Sequence, residues 1–328
     1  MNLSHIQTNR QLAHALGYDN TSALTYLSFN TAQHYRKYRI PKRKPGEFRD
    51  IYDPDASLRK VQYRLLVNVW DKFEILPVCY AFEPGKSIPQ MVHKHVGKDI
   101  VLSFDIKNFF PSIKAGTLVE LLTKEGMGYL PAKTVAELCT YKFFVPQGAL
   151  TSPKISNIIA STTFGPQVQD YCTTKGLELT IYADDLTISS QGVPNILEVK
   201  STVAEILDSH GFRVNTKKTK VMSKKDRQWV CGVVVNQKPN LLLKERKILR
   251  AIVHNVSKNG VEAEASKTSK TPEEFVRYVR GRLNWFKQLN PEQGGVLWAQ
   301  WGQLTHGNNN GINQEDNSSA HEVPAVTT

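Results

Sequence analysis

Helical and strand-like patterns alternate along most of the chain. Apolar residues recur at helical spacing in several segments, with polar residues between them. They predict helices over residues 10–17, 22–27, 57–73, 153–174 and 194–210, further helix within 116–143, and helix again from 240 to about 305.

Shorter apolar runs predict strands. Residues 35–51 contain two alternating, strongly basic runs around Pro45-Gly46, a pattern typical of a β-hairpin. The other runs of strand length lie at residues 99–106 and 177–190 and near 220–222 and 229–235. The run at 177–190 is predicted to be two strands that meet at Ala183-Asp184, and all these strands are predicted to form one sheet. The patterns together predict an α+β protein.

The charge of the chain favours polyanionic partners. Its 328 residues carry 42 Lys and Arg against 30 Asp and Glu, a formal net charge of +12. Residues 306–328 contain three acidic residues and no Lys or Arg, so the rest of the chain has an even larger surplus. Nucleic acid is the expected partner, with solubility alone as the alternative explanation. The same final segment is rich in Asn, Gly and Ser and is predicted to be a disordered polar tail.

Several protein classes are excluded by the composition. No apolar run is long enough to span a bilayer, and the N-terminus lacks the features of a signal peptide. The cysteines are far apart in sequence, which excludes a disulfide scaffold and a cysteine-based zinc module; they are Cys79, Cys139, Cys172 and Cys231. We therefore expect a cytoplasmic protein with reduced thiols and no membrane partner.

Three aspartates are the candidate chemistry. Asp184 and Asp185 lie between apolar strand residues where a tight turn is predicted, and alone they could be ordinary turn residues. Asp105 also ends an apolar strand, so all three carboxylates can meet at one end of a sheet. Carboxylates that close repel one another unless cations neutralise them. Hard divalent ions are the natural occupants: two Mg²⁺ ions, or Mn²⁺ as the alternative, could activate a hydroxyl and stabilise a departing pyrophosphate.

The motifs around these aspartates resemble those of reverse transcriptases, the bacterial retron-type enzymes in particular. The resemblance rests on the segments 104–113, 145–157 and 182–185, in that order, and extends from about Tyr35 to Asn290. It implies a right-hand polymerase fold with fingers, an antiparallel-sheet palm and a helical thumb. The expected parts are an N-terminal helical extension (1–34), fingers (35–98 and 114–152), palm (99–113 and 153–236), thumb (237–305) and the tail (306–328). No RNase H, endonuclease or maturase domain is expected after the thumb.

The resemblance also implies catalytic roles. Asp105, Asp184, Asp185 and the backbone of Ile106 are the expected ligands of two metal ions in the palm. Lys218 is the expected catalytic lysine near the leaving pyrophosphate. Lys220 is the alternative for that role.

Nucleotide binding is assigned in the same way. Phe109 is at the position of the sugar gate, which favours dNTPs over rNTPs; the alternative is a core phenylalanine beside Phe110. Arg49, with Lys42 and the neighbouring Arg43 and Lys44, resembles the fingers element that grips the triphosphate, and guanidinium suits such phosphate contacts. Gln147 and Gly148 resemble the loop under the nucleotide and template base.

Two further segments are expected to hold nucleic acid. Val230, Cys231 and Gly232 resemble the hairpin that holds the primer end. The expected basic face of the thumb consists of Arg277, Arg280, Arg282 and Lys287, with Trp285 as its aromatic member. The alternative for the thumb residues is an ordinary solvated helix face.

The retron signatures match in part. His95 is at the histidine position of the Asn-Ala-x-x-His signature, but Met91 and Val92 replace the Asn and Ala. Cys231 stands where the primer-holding hairpin of retron enzymes has Thr. His95 could equally be a structural histidine. These departures leave a related, non-retron defence-associated reverse transcriptase as an alternative.

The expected function is that of an RNA-directed DNA polymerase. The resemblance implies a structured noncoding RNA as template and primer, dNTPs as substrates and a DNA product. It also implies a role in antiphage defence together with a separate effector protein. A catalytically silent RNA-binding scaffold is the alternative from another class. An RNA-templated RNA polymerase is disfavoured by Phe109.

Overall fold

The computed structural model describes residues 3–42 and 45–306, which form two compact units. The first unit extends to Val230 and the second begins at Cys231. Arg43, Lys44 and the predicted tail beyond His306 lie outside the described residues. Within the described ranges, none of the helices has the length and apolar character needed to cross a bilayer.

The first unit opens with two short helices and the predicted basic hairpin. Helix α1 (Asn9–Ala15) begins at a capping box formed by Thr8 and Gln11, and α2 (Ser22–Asn30) follows it. Strands β1 (Tyr35–Pro41) and β2 (Phe48–Pro54) then pair antiparallel. Most side chains of β1 are exposed, whereas the middle of β2 is partly buried.

A four-stranded antiparallel sheet is the centre of the first unit. Its strands are β3 (Ile100–Asp105), β4 (Glu178–Tyr182), β5 (Asp185–Ser190) and β6 (Lys220–Ser223), in the order β4-β5-β3-β6. Phe104, Leu186 and Ile188 are fully buried on the apolar face. The predicted hairpin of β4 and β5, with its turn at Ala183-Asp184, is confirmed.

Helices cover the sheet and support the β1–β2 hairpin. In chain order they are α3 (Ala56–Asn68), α4 (Ile88–His93), α5 (Phe109–Ser112), α6 (Ala115–Lys124), α7 (Tyr129–Leu138), α8 (Ser152–Thr162), α9 (Phe164–Thr174) and α10 (Ile196–Ser209). Their buried side chains and those of the sheet form one continuous hydrophobic cluster.

Two predicted helices have different bounds in the structure. The single helix predicted over 153–174 is two helices, broken at Thr163, whose backbone is not helical. Pro166 has no N–H to donate to the carbonyl four residues earlier, which explains why the helix cannot continue through this point. The helix predicted to reach Phe73 ends at Asn68 and is followed by a short 3₁₀ turn over Trp70–Lys72.

The strand predicted over 229–235 was also wrong in its placement. Strands β7 (Trp229–Val230) and β8 (Val233–Val234) form a two-stranded sheet of their own and do not close the four-stranded sheet. Cys231 and Gly232 between them have φ of 46° and 82°, the left-handed region in which a strand cannot continue. This reversal replaces the single strand expected from the apolar pattern, and it agrees with the hairpin that the resemblance implies at residues 230–232.

The second unit is helical, as predicted. Helices α11 (Leu243–Ala265), α12 (Pro272–Leu289) and α13 (Pro291–His306) pack together. Val279, Leu283, Phe286 and Trp301 are buried between them. Helix α11 is interrupted at Gly260, which has φ of 83°.

Candidate active site

The register of β3 and β5 brings the three aspartates to one end of the sheet. Asp105, the last residue of β3, is paired with Asp185, the first residue of β5. Asp184 lies in the turn before β5, and its carbonyl accepts a hydrogen bond of 2.8 Å from the Ile106 amide. Directly paired residues project from the same face of a sheet. Residues about 80 positions apart in sequence are thus neighbours at this edge.

The electrostatics of this edge disfavour the ionised forms of Asp184 and Asp185. Burial in the first place, and then the charges of Asp184 and Asp105, raise the pKa of Asp185 to about 6 against the opposing effect of Lys218 and Lys220. Burial likewise raises the pKa of Asp184, with Asp105 adding to the shift and Lys218 and Arg49 reducing it. Carboxylates crowded in this way favour a bound cation.

Asp105 has two hydrogen-bond donors from the segment that precedes β6. Asn215 donates its Nδ2–H to Asp105 Oδ1 at 2.9 Å, and Lys218 Nζ donates to Oδ2 at 2.8 Å. The segment is held there by the Asn215 amide, which donates to the Asp105 carbonyl at 2.7 Å. The hydrogen bond to Asp105 raises the pKa of Lys218. The structure therefore places Lys218 against the aspartates, whereas Lys220 lies 3.9 Å over the ring of Trp229.

The donor chemistry at this edge fits a hard divalent cation. All the candidate ligand atoms are oxygens, the type that Mg²⁺ and Mn²⁺ prefer. Within residues 3–42 and 45–306, however, no three His, Cys, Asp or Glu side chains are already gathered as a metal site. The ammonium of Lys218 supplies the positive charge at Asp105 in this arrangement. Metal binding therefore requires the side chains to turn toward a shared ion.

The predicted nucleotide loop docks on the β1–β2 hairpin. The Tyr52 amide donates to the Gln147 carbonyl at 2.8 Å. Gly148 has φ of 109°, and a Cβ there would lie 2.7 Å from Ile51 Cγ2 and 2.9 Å from the Tyr52 carbonyl. Only glycine fits this close approach. The loop and β2, which carries Arg49, thus form one continuous surface.

The positions of the other predicted nucleotide ligands differ. Arg49 is exposed on β2 and lies near enough to lower the pKa of Asp184. Lys42 forms an ion pair of 3.7 Å with Glu47 across the tip of the same hairpin.

Phe109 is a buried aromatic residue at the start of α5. Its side chain is 3% exposed. Its ring centroid lies 5.5 Å from that of Phe212, 5.8 Å from that of Phe110 and 6.3 Å from that of Phe164. The cluster holds the ring rigidly four residues after Asp105. Phe109 is thus part of the aromatic core, and its role as the sugar gate stays a prediction.

Comparison with known proteins identifies the family. The chain matches the family model described as Reverse transcriptase (RNA-dependent DNA polymerase) over residues 40–235. It is 31% identical to the retron Ec86 reverse transcriptase of Escherichia coli over 239 residues, which cover 72% of this chain and 74% of that one. It is 32% identical to the retron Mx65 reverse transcriptase of Myxococcus xanthus over 314 residues, covering 89% and 70%. The chain belongs to the retron-type reverse transcriptases.

This reverse transcriptase is an RNA-directed DNA polymerase with the right-hand polymerase fold expected from its motifs. A structure of telomerase from Candida albicans with a TWJ fragment of telomeric RNA is similar with a TM-score of 0.46 and 12% identity, covering 82% of this chain and 63% of that one. The subdomain bounds expected from the sequence, from the extension at 1–34 to the thumb at 237–305, stay predictions.

His95 joins the two strands that flank the turn containing Ala183 and Asp184 in this reverse transcriptase. It is wholly buried, with Nδ1 at 2.7 Å from Ser189 Oγ and Nε2 at 2.8 Å from Thr180 Oγ1. Ser189 lies on β5 and Thr180 on β4. Both ring nitrogens are therefore used within the protein, as expected for the structural alternative.

The two segments predicted to hold nucleic acid lie at the unit boundary and in the second unit. Val230 is buried, and Cys231 and Gly232 form the turn between β7 and β8. On α12, Arg277, Arg280 and Lys287 are exposed.

The exposed α12 cations differ from Arg282 in their partners. Arg280 and Lys287 lie 6.0 and 5.4 Å from the ring of Trp298 on α13. Arg282 instead donates to the Tyr278 hydroxyl at 2.7 Å and lies 3.8 Å from Glu245. Arg282 therefore belongs to the internal contacts of the helical unit.

Two residues of these sites had no signal in the sequence. Asn215 donates to Asp105, but its role depends on how the segment before β6 folds back along β3. Trp298 becomes a neighbour of Arg280 and Lys287 only through the packing of α13 on α12.

The pKa of His95 predicts a pH-dependent stability. Burial lowers this pKa to about 3, and the charges of Lys98 and Lys94 act in the same direction. Unfolded histidine titrates near pH 6.5, so the unfolded chain binds the additional proton below that pH and the folded chain loses stability as the pH falls. As the pH falls below 6.5, this proton uptake lowers the free energy of unfolding by up to about 1.4 kcal/mol per pH unit, and we expect His95→Gln to abolish that decrease. The substitution should also lower the free energy of unfolding at pH 8, because the hydrogen bonds of the ring are lost.

Urea unfolding of both proteins at pH 8.0, 6.5 and 5.5 measures this difference. The free energy of unfolding should fall more steeply with decreasing pH in the wild-type protein. Parallel pH dependences would show that His95 is not held neutral.

Proposed function

We propose that this enzyme copies a dedicated, structured noncoding RNA into DNA by two-metal-ion nucleotidyl transfer and acts as a retron component in antiphage defence. The observation that carries the proposal is the pairing of Asp105 with Asp185, with Asp184 in the adjoining turn. The names of the relatives, which are retron reverse transcriptases, support the assignment to a retron. A separate protein would act as the effector.

The proposed metal ligands are Asp105, Asp184, Asp185 and the backbone of Ile106. Two bound divalent ions, Mg²⁺ in the first place, would supply Lewis-acid activation of the primer hydroxyl and charge neutralisation at the leaving pyrophosphate. The protein itself orients the carboxylates through the β3–β5 register and the hydrogen bond from Asn215 to Asp105.

Lys218 is the proposed catalytic lysine. Its side chain is 63% exposed even though its ammonium contacts Asp105, so it can also reach toward a nucleotide. The hydrogen bond to Asp105 raises its pKa and keeps it protonated. A protonated lysine can hold the developing charge of pyrophosphate or donate a proton to it.

The nucleotide would lie on the continuous surface formed by the hairpin and the loop that docks on it. Arg49 offers a guanidinium for bidentate contacts with the triphosphate, and Lys42 adds a second positive charge. Gln147 is proposed to lie under the nucleotide and template base, and Gly148 permits the close approach of the backbone. The crowding of Phe109 by its aromatic neighbours gives the sugar gate a fixed position.

The nucleic acid itself would be held by sequence-independent contacts. The turn at Val230, Cys231 and Gly232 is proposed to support the primer end. Arg277, Arg280 and Lys287 are proposed to contact phosphates of the template–primer duplex, because cations on one helix face suit a charged backbone.

Primer extension tests the catalytic proposal. Wild-type protein with Mg²⁺, labelled dNTPs and a primed RNA template should incorporate nucleotides, and Asp184→Asn should reduce the rate at least about a hundredfold. Asp170→Asn, a change of an acidic residue on α9, is the matched control and should retain activity. No incorporation on any template, including copurified RNA, would favour the silent scaffold, and synthesis with rNTPs only would favour an RNA polymerase.

Sequencing of the copurified nucleic acid, before and after RNase, tests the template and the retron assignment. A short single-stranded DNA joined to one RNA species is expected. DNA copied from many unrelated cellular RNAs would contradict a dedicated template.

The sugar-gate assignment makes a separate prediction. Phe109→Ala removes the ring that would exclude a 2′-hydroxyl, so kcat/KM for rNTPs relative to dNTPs should rise at least about tenfold. Phe164→Ala is the control, because it opens the same aromatic cluster at the other side of Phe109. Equal discrimination in the Phe109 variant and the wild-type enzyme would assign Phe109 to the core alone.

A further inference from the structure

Gln62 is a fully buried polar residue in the middle of α3. Its Nε2 donates to the Tyr35 hydroxyl at 2.7 Å and to the Leu138 carbonyl at 3.0 Å. Its Oε1 accepts the Leu150 amide at 3.2 Å. Both N–H groups and the carbonyl oxygen of one amide are therefore used by three distant parts of the chain.

The three partners of Gln62 lie in the hairpin, at the end of α7 and next to the proposed nucleotide loop. Tyr35 begins the hairpin strand β1, and Leu138 ends α7. Leu150 follows the loop that contains Gln147 and Gly148. Gln62 thus joins the base of the hairpin to the segment that carries the loop.

The loop is held from the hairpin side as well. Tyr52 donates its amide to the Gln147 carbonyl, and Gly148 lies against Ile51 and Tyr52. The loop is consequently held at two points: the hairpin fixes Gln147–Gly148 and Gln62 fixes Leu150. Losing either point leaves the loop free to shift relative to the strand that carries Arg49.

We propose that Gln62 is a positioning residue that sets the affinity of this reverse transcriptase for the incoming dNTP. It does so by holding the Gln147–Leu150 segment in place against the β1–β2 hairpin. The inference rests on the proposed role of Gln147, Gly148 and Arg49 in nucleotide binding. Gln62 itself is buried and touches no substrate.

The chemistry of a buried amide explains why the effect should be local. Replacement by an apolar side chain leaves the Leu150 N–H and the Leu138 carbonyl without their partner, and an unpaired buried polar group is costly. The least costly relaxation is for the loop to move until these groups meet water. Small displacements of a substrate-positioning segment weaken binding strongly.

Steady-state primer extension with varied dNTP and saturating template–primer tests the proposal, at a temperature well below unfolding. Gln62→Met keeps the side-chain size and should raise KM for dNTP about tenfold, a loss of about 1.4 kcal/mol, while kcat changes less than about threefold. Tyr35→Phe removes one of the three contacts and retains the packing, so its KM should rise about threefold. This milder variant also decides the question if Gln62→Met does not fold.

The matched control is Val203→Ala, which opens a cavity at a fully buried position of α10, away from the loop. It should lower the melting temperature comparably to Gln62→Met and leave KM for dNTP within about twofold of wild type. Hydrogen exchange provides a measurement that does not depend on activity. The amides of residues 147–151 should exchange faster than in the wild type in Gln62→Met, and at the wild-type rate in Val203→Ala.

Gln147→Ala, measured in parallel, separates the possible failures. If it raises KM and neither Gln62→Met nor Tyr35→Phe does, the role of Gln62 is overturned and the nucleotide loop stands. If Gln147→Ala leaves KM unchanged, the loop assignment and the inference built on it both fail. A KM rise in Val203→Ala equal to that in Gln62→Met would reduce Gln62 to a general contributor to stability.

Discussion

The antiparallel pairing of β3 with β5 is the constraint on which the site depends. It sets Asp105 opposite Asp185 and places Asp184 in the turn that follows β4. A slip by one residue would turn Asp185 to the other face of the sheet and separate the carboxylates. The residues of β5 oppose that slip, because Leu186 and Ile188 would then exchange faces with the polar Thr187 and Ser189.

The same register brings three carboxylates together, which costs electrostatic free energy, and two contacts to Asp105 reduce that cost. The pKa values of Asp184 and Asp185 are raised by burial and by neighbouring negative charge. Lys218 and Asn215 stabilise Asp105 from the segment beside β3. The ammonium of Lys218 partly compensates the negative charge of the crowded carboxylates. We interpret this arrangement as a site in which divalent cations can replace the ammonium at Asp105.

Much of this could be predicted from the sequence because it depends on local patterns. The apolar run before Asp105, the hairpin around Asp184 and the basic hairpin of β1 and β2 were all predicted and are confirmed. Contacts between distant segments could not be predicted in that way. Nothing near Gln62 or Asn215 in sequence indicates their partners. The apolar pattern at 229–235 alone indicates one strand, and only the resemblance to the primer-holding hairpin implied the reversal at Cys231.

Manganese binding by the nucleic-acid-free protein tests the central claim most directly. Mn²⁺ titration followed by the electron paramagnetic resonance of the free ion should reveal binding to wild-type protein. Asp185→Asn should weaken that binding at least about tenfold, and Lys218→Met should strengthen it because no ammonium then competes for Asp105. Equal affinity in wild-type and Asp185→Asn proteins would contradict a metal site at this edge of the sheet.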